Sequence, residues 1–424
     1  MPIGMTFTDI SAVLNQINKL ATHTQTDNNI VDTSSFVSVA ESTLRTGYDN
    51  YMGAISQVLT NTLFAVRQYG AIAPGLRMTP AAYGNHVRKI NFFDTDALPD
   101  KAWALTDGES VDQWEVHKPV QLQTNYYGQT NYSRCLSRPT DQLNAAFRGP
   151  DQFAEWLSAT LLHMSNQIAQ DNQGLRLNLL ANLAGGITKT SPNSVVYLLD
   201  EYNAKTGKTL TAENVFAPEN YPDFARYAYG RIADMSDLLT ARTINWHQNW
   251  TISGKTYNFA RHTPYNMQRL YLYSGEQRQI QARVLSDTFN PALLSYGDYQ
   301  TLPFFQRPDN GERNTISVKP IYTGNDGTAT ISADNVQIAN VFGILADVDA
   351  VGYSPILETV EASPYNARGR YTNLWYHYNY RWYNDFTENS VLFVLTAGDI
   401  THPNAAAKAS MLKSSTTKDP APVE

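Results

Sequence analysis

Residues 152–184 read QFAEWLSATLLHMSNQIAQDNQGLRLNLLANLA. Phe153, Leu157, Leu161, Met164, Ile168, Leu175, Leu179 and Leu183 recur there at spacings of three, four and seven, which draws one apolar stripe along a single helix. At about 1.5 Å per residue this helix is roughly 50 Å long. Gly149-Pro150-Asp151 supplies the turn and the start, and Gly185-Gly186 reads as the stop. Gly174, inside the pattern, costs about 1 kcal/mol relative to Ala and marks a place for a bend or break.

Upstream of this rod the pattern is extended. Val87, Ile90, Phe92 and Phe93 form one run, and Trp114, Val116, Val120, Leu122 and Tyr126 form a returning one. Between them, residues 94–109 carry Asp96, Pro99, Asp100, Asp107 and Gly108, too polar to pack as core and too long for a tight turn. Residues 85–136 are thus a two-stranded excursion with little to bury by itself, and isolated hairpins are marginal in water. It needs support from elsewhere, from another subunit for instance. Before it come a polar arm over the first forty residues, a helical stretch over 54–69 closed by Gly70, and a connection marked by Pro74, Gly75 and Pro80.

Downstream, 195–199 reads as a buried strand and 223–240 as a second long helix. Hairpin signals follow at Ser253-Gly254-Lys255 and at Gly324-Asn325-Asp326-Gly327, and 341–346 is a candidate central strand. In 371–382, Leu374, Tyr376, Tyr378, Tyr380 and Trp382 fall on one face, with Asn373, Trp375, His377, Asn379 and Arg381 on the other. A strand over 391–395 follows closely enough to pair with it. Residues 401–424, rich in Ala, Ser, Thr, Lys and Pro, are expected to be a disordered tail.

The 424 residues carry 32 Lys and Arg against 39 Asp and Glu, a net charge of −7, which argues against a broadly basic nucleic-acid-binding surface. Cys135 is the single cysteine, so an internal disulfide framework and any cysteine-cluster metal site are excluded. The charged fraction is low, 17%, while there are 26 Tyr and 7 Trp. Rings with one polar handle suit large contact surfaces. The N-terminus does not read as a signal peptide, and no apolar run reaches the roughly 18 residues of a membrane helix.

Catalytic chemistry is hard to find. Gly207-Lys208-Thr209 after the strand at 195–199 has the ending of a phosphate-binding loop, but the first glycine of that motif falls at Tyr202, whose Cβ prevents the tight wrap. No His-Glu-x-x-His, Gly-x-Ser-x-Gly or dinucleotide fingerprint is present, and the eight His are scattered without ligand spacing. His163, beside the apolar stripe, reads as a hydrogen-bonded packing residue. Cys135, next to Arg134, is either an activated thiol or, more commonly for the residue type, a buried inert one. Asp347, Asp349, Glu358 and Glu361 lie close in sequence among aromatics, as a glycoside hydrolase requires, though that chemistry needs two carboxyl groups about 5 to 9 Å apart across a cleft.

The order of an arm, a long excursion, one very long helix, a mixed region and aromatic return strands resembles the major capsid protein of tailed double-stranded DNA bacteriophages. Residues 143–157, with Leu143-Asn144-Ala145-Ala146-Phe147 and Phe153-Ala154-Glu155-Trp156-Leu157, are similar to the start of the spine helix in the small short-tailed phages of Gram-positive hosts. So are Leu270-Tyr271-Leu272, Val284-Leu285-Ser286-Asp287, and the stretch from Leu357-Glu358-Thr359-Val360 through Ala367-Arg368-Gly369-Arg370 to Trp375-Tyr376-His377-Tyr378.

The resemblance implies an α+β, HK97-like fold: an N-terminal arm and helix over 1–83, an extended loop over 84–137, and a peripheral domain with the spine helix over 138–205. An axial domain over about 206–362, return strands of the peripheral domain over 363–400 and the tail over 401–424 complete it. It implies a structural protein, not an enzyme, with no catalytic, cofactor or metal residues. Many copies assemble as pentamers and hexamers, by way of a procapsid in the host cytoplasm, into the icosahedral or prolate head of the virion. Expected partners are scaffolding protein, portal protein and packaged double-stranded DNA bound without sequence specificity, with no membrane. Some such shells crosslink a Lys to an Asn; Lys101 and Lys118 lie in the right segment, but no acidic catalyst accompanies either. The rival class is a soluble glycan-binding protein or glycoside hydrolase using the four carboxylates.

Overall fold

The computed structural model describes residues 74–78, 87–94, 105–108, 110–111, 114, 116–139, 150–276, 298–306 and 313–401. The helix expected over 54–69, most of the arm and of the hairpin tip, and residues 402–424 lie outside them. Helix α1 spans Pro150–Thr190, 41 residues, or roughly 60 Å. It is longer than its stripe suggests because Gly185-Gly186 does not stop it. A Cβ on Gly185 would lie 2.6 Å from Val318 Cγ1, and one on Gly186 would lie 2.2 Å from the Phe386 ring. These glycines exist for close approach inside the helix, and the stop falls at Ser191-Pro192, where proline ends helical geometry. Gly174 likewise lies within a continuous helix, with open space around it.

Residues 179–188 are buried on every side, so the last members of the stripe, Leu179 and Leu183, have no wet face opposite them. Asn182, also buried, donates to the Ile321 carbonyl at 2.9 Å and accepts from the Ile321 amide at 2.7 Å.

The strands run β1 Val87–Phe92, β2 Gln121–Tyr126, β3 Gln129–Pro139, β4 Val195–Tyr197, β5 Trp250–Ile252, β6 Lys255–Tyr257, β7 Gln268–Tyr273 and β8 Asp298–Leu302. Then come β9 Ile316–Val318, β10 Ile321–Thr323, β11 Ala329–Ile331, β12 Val336–Ile338, β13 Val341–Asp347, β14 Val351–Ala362, β15 Tyr371–Asn384, β16 Ser390–Val394 and β17 Ile400–Thr401. Helices α2 Leu198–Thr206 and α3 Tyr221–Thr240 follow β4. The mixture is α+β, as expected, and the turn at 324–327 joins β10 to β11.

A five-stranded sheet in the order β4-β16-β13-β7-β8 forms the centre. All seven residues of β13 are buried, because both faces of the sheet are covered. Val195, Tyr271, Ile344, Ala346, Leu392 and Val394 join the α1 core. Their neighbours Val196, Leu270, Leu272, Leu345, Val391 and Phe393 join a second core with Phe224, Ile232, Met235 and Leu239 of α3. Each such side chain, fully buried, contributes roughly 1.5–3 kcal/mol.

Two expectations are corrected here. The strand at 195–199 is only three residues long, since Leu198 and Leu199 open α2, whose first turn holds Asp200 and Glu201 where acidic charge favours a helix N-terminus. The strand near 391–395 does not pair with the aromatic strand; it pairs with β13 and, in parallel, with β4. Its five residues are all buried, and only a sheet covered on both faces accommodates that.

The aromatic strand β15 is the middle of a separate sheet, β14-β15-β3. Leu374, Tyr376, Tyr378 and Tyr380 are buried in the α1 core, and Trp375 faces out at 39% exposure. Arg134 of β3 ties this sheet to α1 through Asp171 (2.6 and 2.7 Å), which also accepts from the Tyr378 hydroxyl. Burial pushes the Asp171 carboxyl up, but the hydrogen bonds from Arg134 and Tyr378 outweigh it and leave it below the usual range.

Gly186→Ala is expected to destabilise the chain by about 1–3 kcal/mol through overpacking, whereas Gly174→Ala stabilises it by up to about 1 kcal/mol; chemical denaturation of unassembled chains reads both. The tie through Asp171 holds fully above about pH 4, its unfolded value, and is lost as pH falls through the lower folded one. Asp171→Asn therefore flattens the acid side of the stability profile below about pH 4.

Candidate functional site

The excursion has two unlike faces, set by the period of two along its strands. Strands β1 and β2 pair antiparallel from Val87↔Tyr126 to Phe92↔Gln121. Lys89, Asn91 and Tyr126 turn toward the body, while Arg88, Ile90 and Phe92 turn away, Ile90 at 48% and Phe92 at 68% exposure. The support the sequence asked for is thus present in the chain itself on one face.

That seat is polar and ionic at its centre. Lys89 pairs with both Asp385 and Glu388, in the link between β15 and β16. Arg261 adds a contact to Glu388 at 3.3 Å, donates to the Thr387 carbonyl at 3.0 Å and donates to Asn91 Oδ1 at 2.5 Å. Around them, Phe93 packs on Tyr257 and Phe259, with ring centroids 5.2 and 5.3 Å away, and Tyr126 on Tyr383 at 5.5 Å. An exposed ion pair, Arg242 to Asp94 at 2.6 Å, closes the edge.

The link is held from behind. Asp385 caps Thr387 through its amide (2.9 Å) and hydroxyl (2.6 Å), the Asp385 amide donates to the Ala350 carbonyl at 2.7 Å, and the Gln248 amide donates to the Phe386 carbonyl at 2.7 Å. Asn389 donates to Thr263 Oγ1 at 3.1 Å and accepts from the buried His247 ring, 2.9 Å away. Burial raises the Asp385 carboxyl, but the Lys89 charge and the hydrogen bonds from Lys89 and Thr387 bring it below its ordinary value. For Glu388 burial prevails over Lys89 and Arg261, and the group is raised.

The outward face continues along the chain. From 121 to 137 exposure alternates without a break, and the exposed positions are Gln121, Gln123, Asn125, Tyr127, Gln129, Asn131, Ser133, Cys135 and Ser137. None is charged. A pivot is needed where the ribbon passes into β3: a Cβ on Gly128 would lie 2.3 Å from the Trp382 carbonyl oxygen. Sequence reading followed the apolar residues of this run and missed its uncharged alternate face, although the alternation is plain in the residues. Trp114 (78% exposed), Val116 (75%) and Tyr127 (65%) add large apolar surface to the excursion.

The four carboxylates do not assemble. Asp347 is buried in β13 and accepts from Thr263 Oγ1 at 2.7 Å and from the Asp349 amide at 2.9 Å. Glu358 and Glu361 lie on opposite faces of β14, opposite the buried Tyr378 and the exposed Trp375 respectively. Glu358 is engaged by Arg77 at 3.1 Å and by the Tyr380 hydroxyl at 3.2 Å.

The other candidates are ordinary as well. Gly207 is the left-handed cap of α2, and Lys208 donates to the Tyr202 hydroxyl at 3.1 Å. His163 is exposed and bonded to Gln167 at 2.9 Å. Cys135 is a free cysteine, exposed and not buried as the residue type suggests, because it falls on the open face of β3. Lys118 is exposed; Lys101 lies outside the described residues. Among the described residues no group of His, Cys, Asp and Glu is placed to hold a metal ion, and no helix is long and apolar enough to cross a membrane.

A family model described as Phi29-like phage major capsid protein matches residues 13–394. No curated protein matches the chain. Among solved structures, a chain of the Staphylococcus phage Andhra capsid is 9% identical with a TM-score of 0.47, covering 78% of this chain and 86% of that one. A chain from the structure of the head fiber and inner core protein of native bacteriophage P68 is 11% identical with a TM-score of 0.48, covering 76% and 83%. One from the cyanophage Pam1 capsid is 10% identical with a TM-score of 0.39, covering 78% and 94%.

Lys89→Met strands Asp385, which is 1% exposed, as an uncompensated buried charge, and is expected to cost about 3–5 kcal/mol. Arg242→Ala, whose pair is more than half exposed on both sides, costs less than about 1 kcal/mol. Denaturant midpoints of the two variants check the contrast.

Proposed function

The chain belongs to the Phi29-like phage major capsid protein family, and from that premise we propose that its excursion, residues 84–137, is the element by which each copy lies across a neighbour in the shell. The role itself is structural: a capsid protein of the virion that associates with copies of itself, not an enzyme. The observation that carries the proposal is the contrast between the two faces of the ribbon. One is seated on the body, and the other presents Ile90 and Phe92 at 48% and 68% exposure, while Trp114 and Val116, ahead of β2, are 78% and 75% exposed.

Scattered exposed apolar residues are normal on a soluble surface, but a run of them on one extended element marks a contact. Covering a tryptophan removes on the order of 150 Å² from water and contributes roughly 3–4 kcal/mol. The uncharged amides and hydroxyls of 121–137 suit the same use, since each both donates and accepts and adapts to a neighbour in more than one environment.

The remaining parts of the reading follow from this role. The arm over 1–83, peripheral parts over 138–205 and 363–400, an axial part over about 206–362 and a tail over 401–424 divide the chain. The five-stranded sheet, which takes strands from 138–205, 206–362 and 363–400, serves as the joint between peripheral and axial parts. Scaffolding and portal proteins are the expected partners during assembly in the host cytoplasm. Packaged double-stranded DNA is held without sequence readout, and the net charge of −7 keeps that hold weak enough for DNA to enter and leave.

Deleting residues 96–109 is expected to abolish closed particles, read by negative-stain microscopy and light scattering of the chain alone and with a co-expressed scaffolding protein. Phe92→Ser, at a side chain 68% exposed, is expected to lower particle yield at least tenfold with little change in the melting temperature of the unassembled chain. Closed particles from the deletion variant contradict the proposal.

A further inference from the structure

Lys89, Asn91, Phe93, Asp94 and Tyr126 fasten the base of the ribbon to the body. Beyond that base the chain runs through residues 95–120, whose out-and-back reach is bounded at roughly 40 Å. A tilt of about 10° at the base therefore displaces a tip at full reach by several ångströms, more than a packed contact tolerates.

Among the described residues of the ribbon, Lys89 is the one whose ion pairs reach two carboxylates at once. Both belong to the 385–389 link, whose backbone is bonded to Ala350 and Gln248, so neither acceptor is free to follow the ribbon. An aromatic contact such as Phe93 on Tyr257 and Phe259 slides with little change in energy. An ammonium held between two fixed carboxylates does not, because each displacement lengthens a charged contact in a poorly solvated place. Buried ion pairs add little net stability compared with apolar packing, and their best-attested use is to fix a register.

We propose that Lys89 is a positioning residue for assembly: its pairs with Asp385 and Glu388 set the angle at which the excursion leaves the body, and through it the geometry of the shell. This rests on the reading that the excursion joins copies. Lysine suits the task because a compact charge with three donors meets two separate acceptors, where a planar guanidinium prefers one carboxylate in a forked contact. Loss of the latch leaves a chain that folds and associates, but at variable angles.

The test compares the parent with a neutral set, Lys89→Met with Asp385→Asn, which breaks both Lys89 pairs, removes one charge of each sign and leaves Glu388 to Arg261. Unassembled chains are melted, and particles are sized by microscopy and light scattering. The neutral set is expected to melt within a few degrees of the parent while uniform closed particles fall at least tenfold in favour of mixed sizes and open sheets. Neutral-set particles of parental yield and size distribution overturn the proposal. Should the neutral set fail to fold, Glu388→Gln alone removes one pair and keeps an acceptor for Arg261; a broadened distribution supports the latch, and a parental one overturns it. The 96–109 deletion separates the two ideas: if it still assembles, the reading beneath falls and the latch with it. If it does not assemble while the neutral set forms parental particles, only the latch falls.

Discussion

The fold depends on one constraint: residues 179–188 of α1 are enclosed on all sides, so neighbouring elements come within touching distance of its backbone. Gly185 and Gly186 make that possible, admitting Val318 on one side and Phe386 on another. Phe386 lies in the same 385–389 link as Asp385 and Glu388. The packing that closes the core around α1 therefore also fixes the acceptors that hold the ribbon, and the seat of the functional element inherits the rigidity of the core.

From that enclosure follows a division of labour between the two sheets. The β4-β16-β13-β7-β8 sheet spends both faces on the interior and is apolar along whole strands. The β14-β15-β3 sheet and the ribbon that continues from it give one face to α1 and the body and keep the other outside. The outward face runs from Gln121 to Ser137 with no charged residue, which suits a surface meant to be covered by an uncharged partner surface and not by a polyanion.

Much of this was legible beforehand, for physical reasons that differ from element to element. Residues 163–178 of α1, α3 and β15 announced themselves because each has one wet face, and a wet face imprints a period on the sequence. The C-terminal part of α1 and β16 mislead for the converse reason: surrounded on all sides, they carry no period, so a glycine pair reads as a stop and a buried strand reads as a partner of the wrong sheet. The exposed aromatics of the excursion were visible as residues without a core to join. The seat was not visible, since Lys89, Arg261, Asp385 and Glu388 are brought together from three distant parts of the chain, and nothing in the local sequence of any one of them names the others. The carboxylate group at 347–361 shows the opposite error, near in sequence and divided between two sheets and two faces.

In the arrangement we propose, the inner face of the ribbon is satisfied by its own body and the outer face by another copy. A high-resolution structure of assembled particles tests it most directly. The account predicts that Phe92, Trp114 and Val116 are covered by a neighbouring chain while Lys89 remains between Asp385 and Glu388 of its own. Particles in which those three side chains face solvent, or in which Lys89 has left its carboxylates for a neighbour's, contradict it.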